Sequence, residues 1–210
     1  GPCVRPQKGE IMELIVGKTA GFCFGVRNAV DKTYEEINKN TKDLYCLGEL
    51  VHNEKIVDDI TKKGVITVED IEEIPNNSNV IIRAHGVEPN IYDIAKEKNL
   101  RLIDLTCPKV AKVHELAKEF ANENYYIMLI AEKRHAETIG TKGFCGRNCT
   151  IIESIEDVET AIKDFETSKL TKIGIIAQTT FSVEKFNEIV QNINSRVNCE
   201  IKIQYVMLLK

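Results

Sequence analysis

Short runs rich in Val, Ile and Leu alternate with longer amphipathic stretches along most of the chain, and this alternation constrains the fold more than any other feature. Leu44–Leu47, Val65–Val68, Val80–Ala84, Leu102–Leu105, Tyr125–Ala131, Thr150–Glu153, Ile173–Ala177 and Ile201–Ile203 read as strands. Val26–Ile37, the stretch from Val51-His52-Asn53 to Lys63, Asn90–Lys98, Lys109–Asn124, Ser154 to about Phe165, and Ser182–Val197 read as helices. Gly64 stops one helix, Pro108 opens another at its first position, and Ser154 with Asp157 forms a capping-box-like start. Glu69–Glu73 is an acidic stretch, and Pro75–Asn79 reads as a polar loop. Strand and helix in regular alternation imply an α/β fold with parallel sheets covered by helices on both faces. Two similar small domains are expected, dividing near residue 107.

Composition narrows the functional classes. The net charge of −4 is spread without a basic stripe, which argues against nucleic acid. No apolar run approaches membrane-spanning length and no signal peptide is visible, so a cytoplasmic location is expected. The seven cysteines, at positions 3, 23, 46, 107, 145, 149 and 199, form no compact disulfide framework and read as thiols or metal ligands. Neither G-x-x-x-x-G-K-[ST] nor G-x-G-x-x-G is present, which disfavours nucleotide binding.

Reactive residue types gather where strands end. Leu102–Leu105 reads as a short buried strand running into Cys107, and Pro108 starts the next helix. Cys107 thus falls at a strand's carboxyl end, where α/β sheets bind ligands, and at a helix amino end, where partial positive charge favours a thiolate. Thr19-Ala-Gly-Phe-Cys-Phe-Gly-Val26 repeats the situation around Cys23, after a strand-like Leu14–Val16. His52, His85 and His135 each follow a strand or open a helix. Histidines so placed suit an anion such as a phosphate or diphosphate, because imidazole and backbone N–H groups both donate. Glu137, two residues beyond His135, can carry protons. His114 lies inside a helix and reads as structural, as does Cys46 inside a strand. Cys145 and Cys149 have a zinc-finger-like spacing but no matching second pair.

Taken together, Gly-Phe-Cys23-Phe-Gly-Val, Val-His52-Asn, Arg-Ala-His85-Gly-Val, Asp-Leu-Thr-Cys107-Pro, His135-Ala-Glu137 and Ala-Gln-Thr179-Thr resemble the 4-hydroxy-3-methylbut-2-enyl diphosphate reductase (LytB/IspH) family. The resemblance runs from Met12 to about Lys202. It implies an iron–sulfur enzyme of the methylerythritol phosphate route, which reductively dehydroxylates its substrate to isopentenyl and dimethylallyl diphosphate. By that resemblance, Cys23 and Cys107 match two of three cysteines holding a [4Fe–4S] cluster. His52, His85 and His135 match residues around the substrate diphosphate, Glu137 the proton-delivering acid, and Thr179 a hydroxyl near the substrate alcohol. Electrons would come from a ferredoxin or flavodoxin. The family's usual proline between the last histidine and the acid is Ala136 here.

The family also has a third α/β domain, which supplies the third cysteine in an Asn-Thr-Ile-Cys-Asn-Ala-Thr-like motif. Against that pattern the chain is expected to divide into a foreign leader at 1–11, a strand and Cys23 loop at 12–24, α/β domains at 25–107 and 108–203, and an aberrant tail at 204–210. Lys8-Gly9-Glu10 resembles a translated ribosome-binding sequence, so translation is expected to start at Met12. One coding of the family motif, read one base late, yields the tail from Ile203 to Lys210, so a frameshift is expected there. Cys199 lies too early to replace the lost ligand. The alternative to a reductase is a non-catalytic α/β remnant that binds diphosphates at most.

Overall fold

The structure, a computed structural model, describes residues 23–39 and 42–206. The leader, the Leu14–Val16 strand and residues 207–210 lie outside the described residues. The first half comprises α1 (Phe24–Asn38), β1 (Leu44–Leu47), α2 (Glu54–Lys62), β2 (Ile66–Val68), β3 (Asn79–Ile82), α3 (Pro89–Glu97) and β4 (Arg101–Asp104). The second comprises α4 (Pro108–Asn122), β5 (Tyr126–Ile130), α5 (Ala136–Phe144), β6 (Cys149–Ile152), α6 (Val158–Ser168), β7 (Lys172–Ala177), α7 (Val183–Arg196) and β8 (Glu200–Gln204).

The strands form two four-stranded sheets, ordered β2-β1-β3-β4 and β6-β5-β7-β8. Every pairing in both sheets is parallel. The second sheet therefore repeats the strand order of the first. Each sheet is also preceded by a 15-residue helix, α1 or α4, with a cysteine at its N-cap.

Alternation within each strand sends side chains to opposite faces. In the first unit, Cys46 and Ile81 pack with Ala29 and Val30 of α1 and Ile56 and Ile60 of α2. Val80 and Ile82 face Ala95 of α3 and Ile71 and Ile74 around a 3-10 turn at Ile71–Glu73. In the second unit, Ile127 and Leu129 face Leu116 and Phe120 of α4, while Met128 and Ile130 face α6 and α7. All five residues of β5 are buried, as a central parallel strand requires. Each such aliphatic side chain contributes roughly 1.5–3 kcal/mol when fully buried. At Gly174 on β7, any Cβ would run into the ring of Phe120. The bare backbone there lets α4 lie against the sheet.

One expectation changes, and two segments without an assigned element gain one. The strand before Cys107 is not buried: β4 is an edge strand, and its ends, Arg101 and Asp104, are exposed. Among the described residues it pairs with β3 alone, so its apolar residues cover one margin of the core. Leu105 alone of the run Leu102–Leu105 is buried. The acidic Glu69–Glu73 stretch contains the 3-10 turn, started by an Asp70–Glu73 capping box. And α5 follows directly after His135, in a segment to which the sequence reading assigned no element.

Candidate active site

The chain leaves β3 in register with β4 and keeps pairing beyond the strands. Leu105 N–H donates to Ile82 O at 2.8 Å, and Cys107 N–H donates to Ala84 O at 3.0 Å. This places Cys107 beside the residue preceding His85. Gly86 then turns the chain at φ +73°; a Cβ there would lie 2.7 Å from His114 Cε1. His114, read as structural from its helical position, therefore forms the floor beneath the His85 loop. It is buried and stacks on Phe144 of α5 at 4.3 Å.

His52, His85 and His135 converge from three loops. The rings of His52 and His85 are 5.9 Å apart, and those of His85 and His135 are 5.4 Å apart. His135 is the N-cap of α5, and its Nδ1 accepts the Glu137 N–H at 3.2 Å. Its remaining proton thus sits on Nε2, free to donate away from the helix. His85 Nδ1 is buried and has no hydrogen-bond partner among the described residues. Burial, then the charge of Arg83 and the neighbouring imidazoles, pushes the His85 pKa down to about 4. Burial also lowers that of His135. At neutral pH these two rings are uncharged donors and acceptors.

Permanent positive charge comes instead from Arg83, which the sequence reading did not single out. Its Nη1 donates to Glu49 O at 3.2 Å, and a Cβ at Gly48 would stand 2.8 Å from its Cζ. The guanidinium thereby ties the loop leading to His52 to the strand end leading to His85.

Glu137 lies in the first turn of α5 and is 2% exposed. Thr179 N–H donates to Glu137 Oε1 at 2.7 Å, and Thr179 Oγ1 donates to Oε2 at 2.8 Å. Burial raises the Glu137 pKa, and the two Thr179 bonds oppose the rise. Gln178, also missed, fixes this pairing. Its Oε1 accepts the Glu132 N–H at 2.9 Å, and its Nε2 donates to Thr180 Oγ1 at 2.8 Å. The loops after β5 and β7 are thus stapled together around the acid. Its position within Ala-Gln-Thr-Thr was the available signal.

Cys23 and Cys107 cap α1 and α4, and neither side chain makes a capping hydrogen bond. A Cβ at Gly25 would lie 2.7 Å from Cys107 Sγ, so the first turn of α1 packs directly on that thiol. Cys23, two residues before Gly25, is exposed, whereas Cys107 is buried. Among the described residues, no group of three His, Cys, Asp or Glu side chains could hold a metal ion. Cys199 precedes β8 and packs on the second unit's core, at the opposite end of the strands from the site. Cys46 is fully buried on β1.

Two parallel α/β units with imidazoles and a buried acid at the carboxyl ends of their strands have the form of α/β proteins that gather functional groups at that edge. The family model described as LytB protein matches residues 14–206, and the chain belongs to this family. A relative from Clostridioides difficile (strain 630), named 4-hydroxy-3-methylbut-2-enyl diphosphate reductase, is 40% identical over 186 residues, covering 89% of this chain and 65% of that protein. A relative of the same name from Aquifex aeolicus (strain VF5) is 36% identical over 196 residues, covering 92% of this chain and 65% of that protein. A solved structure of (E)-4-hydroxy-3-methyl-but-2-enyl diphosphate reductase superimposes with a TM-score of 0.78 at 36% identity, covering 92% of this chain and 67% of the other. The corresponding Plasmodium falciparum reductase structure gives a TM-score of 0.76 at 35% identity, with 86% and 56% covered. The chain therefore spans about two thirds of the length of the relatives it matches. No helix among the described residues is long and apolar enough to cross a membrane.

Proposed function

We propose that this chain carries the substrate-binding and proton-delivering part of a reductase that converts 4-hydroxy-3-methylbut-2-enyl diphosphate to isopentenyl and dimethylallyl diphosphate in the cytoplasm. The observation that carries this reading is the buried Glu137, held by Thr179 on one side and followed back through its own N–H to His135. A buried acid next to three anion-suited imidazoles is what removal of a hydroxyl from a diphosphate ester needs.

The diphosphate is bound by His52, His85 and His135, with Arg83 supplying fixed charge. Anion binding draws protons onto rings that are neutral beforehand. Glu137, its pKa raised by burial, holds a proton nearer neutral pH than an exposed carboxylate does. When Glu137 is protonated, the Thr179 hydroxyl accepts that proton's hydrogen bond and turns its own hydrogen toward the substrate alcohol. The two residues then act as a relay that converts the hydroxyl into departing water. Removal of that water takes two electrons and two protons overall.

The contact between α1 and Cys107 fits an iron–sulfur cluster in donor type, with Cys23 and Cys107 as two of its ligands. When bound, a [4Fe–4S] cluster supplies the electrons, from a ferredoxin- or flavodoxin-type donor, and a Lewis-acidic iron for the alcohol. Anaerobic reconstitution with iron and sulfide, followed by turnover with a low-potential reductant, tests the proposal. Product formation that disappears in Glu137→Gln supports it. Retained pyrophosphate binding without bound iron or turnover would instead assign the chain a diphosphate-binding role alone.

A further inference from the structure

His85 and His135 reach the site from different units, one after β3 and the other at the start of α5. The short segment from Gly86 to Pro89, which follows His85, is packed against two helices of the second unit. From α4, His114 bears on Gly86: a Cβ there would stand 2.7 Å from His114 Cε1 and 3.4 Å from its Nε2. From α5, a Cβ at Gly140 would lie 3.3 Å from both N and C of Val87, and one at Gly143 would lie 2.8 Å from Pro89 Cδ. His114 is joined to α5 as well, since its ring stacks on Phe144 with centroids 4.3 Å apart and planes at 21°. One imidazole therefore touches both the loop that carries His85 and the helix that carries His135 and Glu137.

The residue type matters. His114 is 6% exposed, and its Nε2 is buried with no hydrogen-bond partner among the described residues. Leucine or methionine would fill similar space without an unpaired polar atom, so packing alone does not favour histidine. What the imidazole adds is a rigid plane. Stacked on Phe144, it gives Gly86 a wall that no change of aliphatic rotamer can shift.

We propose that His114 is a positioning residue for anion binding, which sets the His85 ring against His135 across the junction of the two units. The proposal rests on the reading of His85 as a ligand of the diphosphate. His114 acts through Gly86, and the quantity it controls is the 5.4 Å separation of the His85 and His135 rings. His52 reaches the site on its own loop, after β1.

Calorimetry of the full chain with inorganic pyrophosphate tests this, with folding of each variant checked by circular dichroism. His114→Ala should weaken binding about tenfold, the worth of one misplaced hydrogen bond. The same loss should appear in the His52→Ala background and shrink to less than about twofold in the His85→Ala background. A general loosening of the fold would weaken binding in all three backgrounds alike. Gly140→Ala keeps the His114 ring, suits a helix and presses on Val87 from α5. It should weaken binding about threefold, again only while His85 is present. The proposal is overturned by unchanged affinity in both folded variants, or by an equal loss with and without His85. Wild-type affinity in His85→Ala alone would remove the diphosphate reading of His85, and this proposal with it; a loss in His85→Ala with none in His114→Ala or Gly140→Ala would remove this proposal only.

Discussion

Glu137 and Thr179, 42 positions apart in the sequence, are joined by two hydrogen bonds, one from the Thr179 N–H and one from its hydroxyl. Thr179 directs both of its polar hydrogens to a single buried carboxylate. The pair spans two loops of the second sheet, and Gln178 holds those loops together.

Glu137→Gln keeps the shape and an acceptor for the Thr179 N–H but removes the transferable proton. Turnover of the reconstituted protein should fall about 100-fold or more, while calorimetry with inorganic pyrophosphate should show unchanged affinity. A parallel loss of affinity would move Glu137 from proton delivery to ligand recognition. Stability offers a second readout. A carboxyl group whose pKa is raised on folding contributes stability below its unfolded value, and that stability is lost as pH rises through the folded value. Urea unfolding should therefore show Glu137→Gln gaining on the parent protein as pH rises above the ordinary glutamate range.

Arg83 is the permanent cation beside neutral imidazoles. Arg83→Gln should weaken pyrophosphate binding roughly tenfold and flatten its dependence on salt. Isothermal titration at two ionic strengths reads both. Titration in two buffers of different ionisation enthalpy should also reveal proton uptake by the wild-type protein on binding.

Gly25 leaves room for the Cys107 thiol. Gly25→Ala would set a methyl group 2.7 Å from Sγ, so α1 must retreat. The expected cost is about 1–3 kcal/mol in urea unfolding, together with reduced iron content after anaerobic reconstitution. Unchanged iron content in the folded variant would separate the α1–Cys107 contact from cluster binding.

His114 should govern part of the acid sensitivity. Burial lowers its pKa from 6.5 to about 4, and Asp104 opposes the shift. A base depressed in this way stabilises the fold above its unfolded pKa, and the contribution is lost as pH falls from 6.5 toward 4. His114→Gln should flatten the unfolding free energy across that window. An unaltered pH profile would show that the acid sensitivity arises elsewhere, with His85 the next group to test.

Much of this was legible in the chain itself. β1 occupies the four residues that read as a strand, and Pro108 opens α4 as its fixed φ suggests. The three histidines and the Cys107 turn could be placed because strand ends in α/β sheets are where side chains meet ligands. What stayed hidden has a physical cause. Two glycines in α5 are there for packing: a Cβ at Gly140 would lie 3.3 Å from Val87 N, and one at Gly143 would lie 2.8 Å from Pro89 Cδ. Periodicity cannot show that a glycine is serving a neighbouring loop. Arg83 and Gln178 act through contacts with Glu49 and Glu132, and no local pattern announces such partners.

The shared strand order of the two sheets gives most site loops a twin. His52 follows β1 and His135 follows its counterpart β5; Cys23 opens α1 and Cys107 opens α4; His85 follows β3 and Thr179 follows β7. The first two pairs match in residue type, while the third is one imidazole and one hydroxyl. The acid–hydroxyl couple belongs to the second unit alone, so the repeat breaks its symmetry where the proposed proton transfer takes place.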